Sequence, residues 1–340
     1  MAAASSAPPV PPTHVEVSLN FATLRPERDV RIRAAVTQPR LIEPGAVYLV
    51  TRRVVRRHHL FAPDPRMNRI FLYTLAVAAM RVGVRVHAAV LMSTHEHLVV
   101  SDPLGRLPEL LHYLHRHVAL ATKVLRRWDG SVWDHEPTSV VELRTPNAVV
   151  EKIAYAIANP VAACLVPRAK DWPGVKTRPE ELGSATWRIE RPTEYFGHDD
   201  DKWPPFIELH LEMPGAARQL DVTDARFREL VAHEVAALES AARARAREIG
   251  GTFLGADRCA KLSPFRRATS REPIREASPT FAVGRGNHDA WRESAERIRA
   301  FRTAYRDARE AWRRGRRDVP FPFGTWLMRE EHAAVIAAAA

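Results

Sequence analysis

Val82-Gly-Val-Arg-Val-His-Ala-Ala-Val-Leu-Met-Ser-Thr-His-Glu-His-Leu-Val-Val100 is the stretch on which the fold turns. Aliphatic and β-branched residues crowd it, Gly83 opens it and Ser93-Thr94 interrupts it. It therefore predicts two consecutive strands, over 82–92 and from 95 to 100. Side chains at i and i+2 of a strand share a face, so both imidazoles of His95-Glu96-His97 point one way and Glu96 the other. Upstream, Ala46-Val-Tyr-Leu-Val-Thr-Arg-Arg-Val-Val55 has the chemistry of a first strand, and 65–80 carries Ile70, Phe71, Leu75 and Ala78 at helical spacing. Downstream, 107–127 places Leu107, Leu110, Leu111, Leu114, Val118, Ala121 and Leu125 three and four apart, an amphipathic helix with Pro108 in its first turn. Its polar face holds Arg116, Lys123, Arg126 and Arg127, the candidate nucleic-acid-binding residues. Thr138-Ser-Val-Val-Glu-Leu143 is a further strand, and 147–158 a helix that Pro160 is expected to end. The order is βαββαβα, or close to it.

The rest of the chain has a different texture. Residues 1–43 begin with an Ala, Ser and Pro tract too poor in bulky apolar side chains to repay ordering, and are read as a disordered or irregular N-terminal segment. Residues 44–175 form the sheet domain. The segment 176–222 is rich in Pro, Gly and Trp without sustained period and is read as an irregular linker or lobe. Residues 223–330 read as a helical, basic C-terminal extension, with helices over 224–248 and 289–317, and 331–340 as a tail. Between Arg285 and Arg317 there are eleven arginines against five acids. A solvated basic face is the default for such a helix, and phosphate contact the alternative.

The 340 residues, 46% hydrophobic and 27% charged, suffice for one large domain or two smaller ones. No run of eighteen apolar residues occurs, and no basic n-region precedes an apolar stretch, so neither membrane spanning nor secretion is expected. Cys164 and Cys259 are the only cysteines and form no CxxC, which points to the cytoplasm. The net charge of +11 favours a polyanionic partner, nucleic acid first. Walker A, GxGxxG and GxSxG motifs are absent, and His233-Glu234 lacks the second histidine of HExxH.

Two short motifs carry chemistry. In His95-Glu96-His97 both imidazoles can reach one metal ion. In Tyr155-Ala-Ile-Ala-Asn159 the spacing of four sets a phenol and an amide oxygen on one helix face. Each alone has an ordinary structural explanation, a decorated strand and a helix stop. Together they make a phosphodiester-cleaving site: two imidazoles and the Asn159 oxygen can hold Mg²⁺ or Mn²⁺ with positions open for phosphate. Attack by Tyr155 would leave a covalent phosphotyrosine and a free 3′-hydroxyl, conserving the bond for rejoining. His87, His112, His115 and His117 could line a DNA groove or the metal site, and are read first as exposed or locally hydrogen-bonded.

Val90-Leu-Met-Ser-Thr-His-Glu-His-Leu-Val-Val100, the 107–127 helix, Trp133-Asp-His-Glu-Pro137 and Ile153-Ala-Tyr-Ala-Ile-Ala-Asn-Pro-Val-Ala-Ala-Cys-Leu-Val166, in this order, resemble the single-tyrosine HUH transposases, in particular the REP-associated tyrosine transposase branch. The resemblance spans roughly residues 44–175. It implies a ferredoxin-like antiparallel sheet with helices, an α+β fold. It also implies a transposase that cuts single-stranded or hairpin DNA through a 5′-phosphotyrosine and rejoins strands. His95, His97 and Asn159 would be ligands of Mg²⁺ or Mn²⁺ and Tyr155 the nucleophile, with no nucleotide cofactor. One tyrosine per site means that two cuts need two turnovers or a homodimer. A domesticated protein that holds hairpin nucleic acid without cutting is the alternative. The chain departs from the family pattern at Glu96, where an apolar residue is usual: either the sheet is exposed there or Glu96 finds a cationic partner.

Overall fold

A computed structural model describes residues 38–197, 201–269 and 279–339. Most of the expected N-terminal irregular segment therefore lies outside the described residues. The predicted succession is present: β1 (Ala46–Arg53), α1 (Pro65–Val82), β2 (Arg85–Met92), β3 (His95–Asp102), α2 (Leu107–Arg126), β4 (Ser139–Leu143) and α3 (Pro146–Ala162). The antiparallel strands run β2-β3-β1-β4, which with helices crossing between β1 and β2 and between β3 and β4 is the ferredoxin-like arrangement, an α+β fold.

Local chemistry sets the boundaries. The Asp64 carboxylate accepts from the Arg66 and Met67 amides at the start of α1, a cap worth about 1 kcal/mol. Gly83 ends that helix at φ 78, a left-handed conformation that costs a residue without Cβ little. Thr145 caps α3 through the Ala148 amide.

The strand pleat divides the core in two. Tyr48, Val50, Leu98 and Val100 face α1 and α2, whose Ile70, Phe71, Leu110, Leu114 and Val118 close one layer. Leu49, Val99, Val141 and Leu143 face the other way, against Val149, Ile153 and Ile157 of α3. Behind α3 lies α5 (Asp224–Glu248), reached through β5 (Thr186–Glu190), β6 (Phe206–His210) and α4 (Ala216–Gln219). Phe227, Val231 and Val235 of α5 join the α3 layer.

Three features differ from the sequence reading. Pro160 does not end α3: the helix continues to Ala162, because the proline forfeits only its own amide while Ala163 donates to Asn159 O at 2.9 Å and Leu165 to Pro160 O at 3.0 Å. The 176–222 segment, expected to be irregular, contains the antiparallel pair β5 and β6. Phe196 and Trp203 of the same segment pack against Tyr73 of α1. Finally, after α6 (Ala256–Ala260), β7 (Phe281–Ala282) extends the sheet parallel to β4, leading into α7 (His288–Arg313) and α8 (Trp326–His332). Among the described residues no helix is long and apolar enough to cross a membrane.

Candidate active site

The β1–β3 register places Thr51 opposite His97 and Arg53 opposite His95. These four side chains share the face that α3 covers, and α3 lays Tyr155 and Asn159 over them one helical turn apart. The His97 ring meets Tyr155 edge-on at 5.4 Å between centroids and His95 at 4.7 Å. His95 Nε2 lies 3.2 Å from Asn159 Oδ1, and its Nδ1 lies 3.0 Å from the Thr94 hydroxyl. His97 Nδ1 is 2.8 Å from the Thr51 hydroxyl, while His97 Nε2 is buried with no hydrogen-bond partner. The structure thus brings together His95, His97, Tyr155 and Asn159, separated by up to 64 residues in the chain.

Burial decides the charge state of this group. His97 is pushed down to about 3, first by desolvation and then by Arg53. His95 is held well below its usual range by burial, with His97 and Arg53 adding to the effect. Both rings are therefore neutral at pH 7 and offer lone pairs rather than charge. Burial raises the Tyr155 phenol, while Arg53 and the Asn159 side chain oppose that rise. The Lys152 ammonium stands over the Tyr155 ring at 5.6 Å.

The donor set fits a small divalent ion. A Thr51 hydroxyl accepting from His97 Nδ1–H would leave the orphaned Nε2 as a free donor atom; His95 donates Nε2–H to Asn159 Oδ1 as it stands, and would offer Nε2 to an ion in the tautomer whose Nδ1–H is donated to the Thr94 hydroxyl. His95, His97 and Asn159 would be the residues to hold such an ion, two imidazole nitrogens and an amide oxygen. Among the described residues no cluster of three or more His, Cys, Asp or Glu side chains is suited to a metal, so an amide oxygen as third donor is what distinguishes this group.

Thr51, Arg53, Thr94 and Lys152 were not singled out in the sequence. Only Lys152 had a readable signal, three residues before Tyr155 on the same helix; the others depend on strand register. The α2 cations behave differently from the single polar face expected. Arg116 and Lys123 line a cavity with Arg40 and Arg52, on the sheet face away from Tyr155. Arg126 is tied to the Asp64 carboxylate and to the Leu60 and Ala62 carbonyls. Arg127 ends the helix at φ 51. His87 and His115 are buried, not exposed: His87 bonds the Glu212 carbonyl and the Ser101 hydroxyl.

Glu96 has found its partner. Its Oε1 lies 2.5 Å from His115 Nε2, while His115 Nδ1 lies 3.0 Å from the Arg52 guanidinium. A guanidinium can only donate, so Nδ1 accepts and Nε2–H donates to the carboxylate. Burial lowers the His115 pKa despite Glu96, consistent with a neutral ring that bridges a cation and an anion.

The chain matches no protein-family model and none of the curated proteins it was compared with. It is similar to two solved structures. One is a REP-associated tyrosine transposase bound to a REP hairpin, at 16% identity and TM-score 0.33, covering 52% of this chain and 94% of the other. The second is a candidate transposase from Deinococcus radiodurans R1, at 17% identity and TM-score 0.24, covering 33% and 85%.

Proposed function

We propose that the protein is a metal-dependent, single-tyrosine DNA endonuclease and strand transferase of the transposase kind, acting on single-stranded or hairpin DNA. The observation that supports this best is the convergence, on one sheet face, of two neutral histidines, one of them with an unpartnered nitrogen, an amide oxygen and a half-buried tyrosine. His95, His97 and Asn159 would hold Mg²⁺ or Mn²⁺, which when bound polarises the scissile phosphate and offsets charge developing on it.

The chain's own residues supply the remainder. Tyr155 attacks phosphorus through its phenolic oxygen as the phenol proton leaves. The P–O3′ bond breaks, and the 3′-oxygen departs to become a hydroxyl once protonated. A free phenol, pKa about 10, is a weak nucleophile at neutral pH. Arg53, the residue whose charge most lowers the Tyr155 pKa, opposes the effect of burial and favours the phenolate. Asn159 touches both sides of the chemistry: it contacts His95 and orients the Tyr155 hydroxyl one turn away. The new Tyr–phosphate ester keeps the energy of the cleaved bond, so a 3′-hydroxyl from another strand end can reverse the step and restore a phosphodiester.

The test is incubation of the full chain with 3′-labelled hairpin oligonucleotides of randomised flanking sequence and Mn²⁺. The expected result is label covalently joined to protein on a denaturing gel, absent in Tyr155→Phe, with cleavage reduced by about 10³-fold or more. Hairpin binding without an adduct under all sequences would instead favour a non-cutting nucleic-acid-binding protein. Cut product released without an adduct would reduce Tyr155 to a structural residue.

A further inference from the structure

Five of the seven arginines of α7 lie on one side of the helix, while Arg297 turns to Glu142 and Glu43. Arg299, Arg302, Arg306, Arg309 and Arg313 recur at spacings of three, four, three and four, the interval that keeps side chains on one face. All five line a single groove of about 1360 Å³ bounded on its other side by Gln38, Arg40, Pro108 and Trp326. From Arg299 to Arg313 the stripe runs about 21 Å along the helix, the axial rise of about six phosphates on one strand of B-form DNA.

The groove has a continuation. Arg40 and Pro108 also line the neighbouring cavity of about 560 Å³, whose other charged or titratable walls are Arg52, His112, His115, Arg116 and Lys123. Among the described residues no carboxylate lines that cavity, and Glu310, bonded to Arg314, is the only one lining the groove. Arg40 and Arg52 converge on one residue: Arg40 donates to the Thr138 carbonyl and Arg52 to the Thr138 hydroxyl at 3.1 Å. Burial and the Arg52 charge both depress the Arg40 pKa, so an anion placed there relieves a like-charge contact. Among the described residues, Arg299, Arg302, Arg309 and Arg313 make no ion pair, and Arg302 Nε is buried without a partner. Tyr305 and Trp326 add aromatic faces within the groove.

Its position separates it from the tyrosine. Arg52 and His115 belong to the α2 side of the sheet, and Arg297 of α7 is bonded to Glu142, whose cross-strand partner Tyr48 faces α1 and α2. Tyr155 and His97 lie on the opposite face, under α3.

We propose that the α7 arginine stripe and the Arg40 cavity form one continuous seat for the phosphate backbone of a nucleic acid, on the sheet face away from Tyr155. The chain then grips DNA on one side and presents the other for cleavage. This rests on the proposed function only for choosing nucleic acid among polyanions; the charge arrangement stands without it.

The test uses the full chain with EDTA present and a labelled hairpin oligonucleotide carrying a long single-stranded flank, with affinity followed by fluorescence anisotropy from 50 to 300 mM salt. Replacing Arg299, Arg302 and Arg309 together by Gln should weaken binding about tenfold and lower the slope of log K on log salt by about 2, since each lost phosphate contact removes about 0.7. An exposed set on α5, Arg226, Arg245 and Arg247 to Gln, has the same net charge change and should shift both far less. Arg116→Gln with Lys123→Gln, at the far end of the seat, should add to the loss. Equal effects of the α7 and α5 sets, or an unchanged slope for the α7 set with unaltered circular dichroism, would overturn the proposal. Because metal is absent, the readout is binding alone and does not depend on whether the chain cleaves.

Discussion

On one face of β3, His95 and His97 are buried without a bonded carboxylate among the described residues; on the other, one residue between them, Glu96 is buried against His115 and, through it, Arg52. The backbone and the depth are shared, and the outcome differs because the partners differ. Where no opposite charge is available, desolvation wins: both rings are neutral, and His97 keeps an unused nitrogen. Where a carboxylate and a guanidinium flank a ring, every lone pair and proton of that ring is used. The orphaned His97 nitrogen is poised for a ligand, whereas the His115 ring, held between a guanidinium and a carboxylate, is an architectural part.

The strongest way to break this contrast is to remove one histidine from the α3 face. His97→Ala should lower Mn²⁺-stimulated cleavage by about 10³-fold, equivalent to about 4 kcal/mol of barrier, while the melting transition moves little. Cleavage that survives His97→Ala would remove the metal assignment. Next in size is Glu96→Ala, which leaves the buried His115 Nε2–H without its acceptor and should cost about 2 kcal/mol in urea unfolding. Glu96→Gln keeps an acceptor for His115 Nε2–H and should cost less. A neutral Glu96→Ala would show that the bridge contributes nothing to folding.

His87 sharpens the contrast from the same strand pair. Its Nδ1–H donates to the Glu212 carbonyl at 2.7 Å, so Nε2 accepts from the Ser101 hydroxyl at 2.6 Å. Burial lowers its pKa to about 4, against an ordinary value of 6.5. As pH falls below 6.5 the unfolded chain takes up the proton first, so stability is full above that value and declines toward pH 4. The loss from this residue is about 2 kcal/mol at pH 5. His87→Gln should therefore flatten the acid limb of unfolding free energy between pH 6.5 and 4; an unchanged limb would mean that the ring is not held neutral.

Legibility in the sequence followed the range of the interactions. Apolar periodicity gave β1 to α3 nearly to the residue, because each element's pattern is local. The pairing of His95-Glu96-His97 with Tyr155 and Asn159 was legible from residue types at i,i+2 and i,i+4 spacing. Glu96 could be placed on the helix side, yet its partner could not be named, since His115 lies on α2 nineteen residues away and Arg52 on another strand. No local pattern marks β7, two residues long and held by pairing to β4 alone. The α7 stripe was countable as arginine excess, while its wall, formed by Arg40 and Trp326, comes from opposite ends of the chain.

Thr51 offers the smallest and most selective test. It stands opposite His97 on β1, and its hydroxyl is the only bond that His97 makes through either nitrogen among the described residues. Thr51→Val preserves shape and strand propensity while deleting that oxygen. The ring then loses the partner that would fix a proton on Nδ1, and the population with Nε2 free falls. Metal affinity should weaken about tenfold, near 1.4 kcal/mol, with the maximal cleavage rate recovered at saturating Mn²⁺. Thr51→Ser, which keeps the hydroxyl, should restore most of the affinity. A loss that Mn²⁺ cannot rescue would mean that Thr51 acts on the strand rather than on the ring, and an affinity unchanged by Thr51→Val would mean that the His97 nitrogen is oriented by packing against Tyr155 alone.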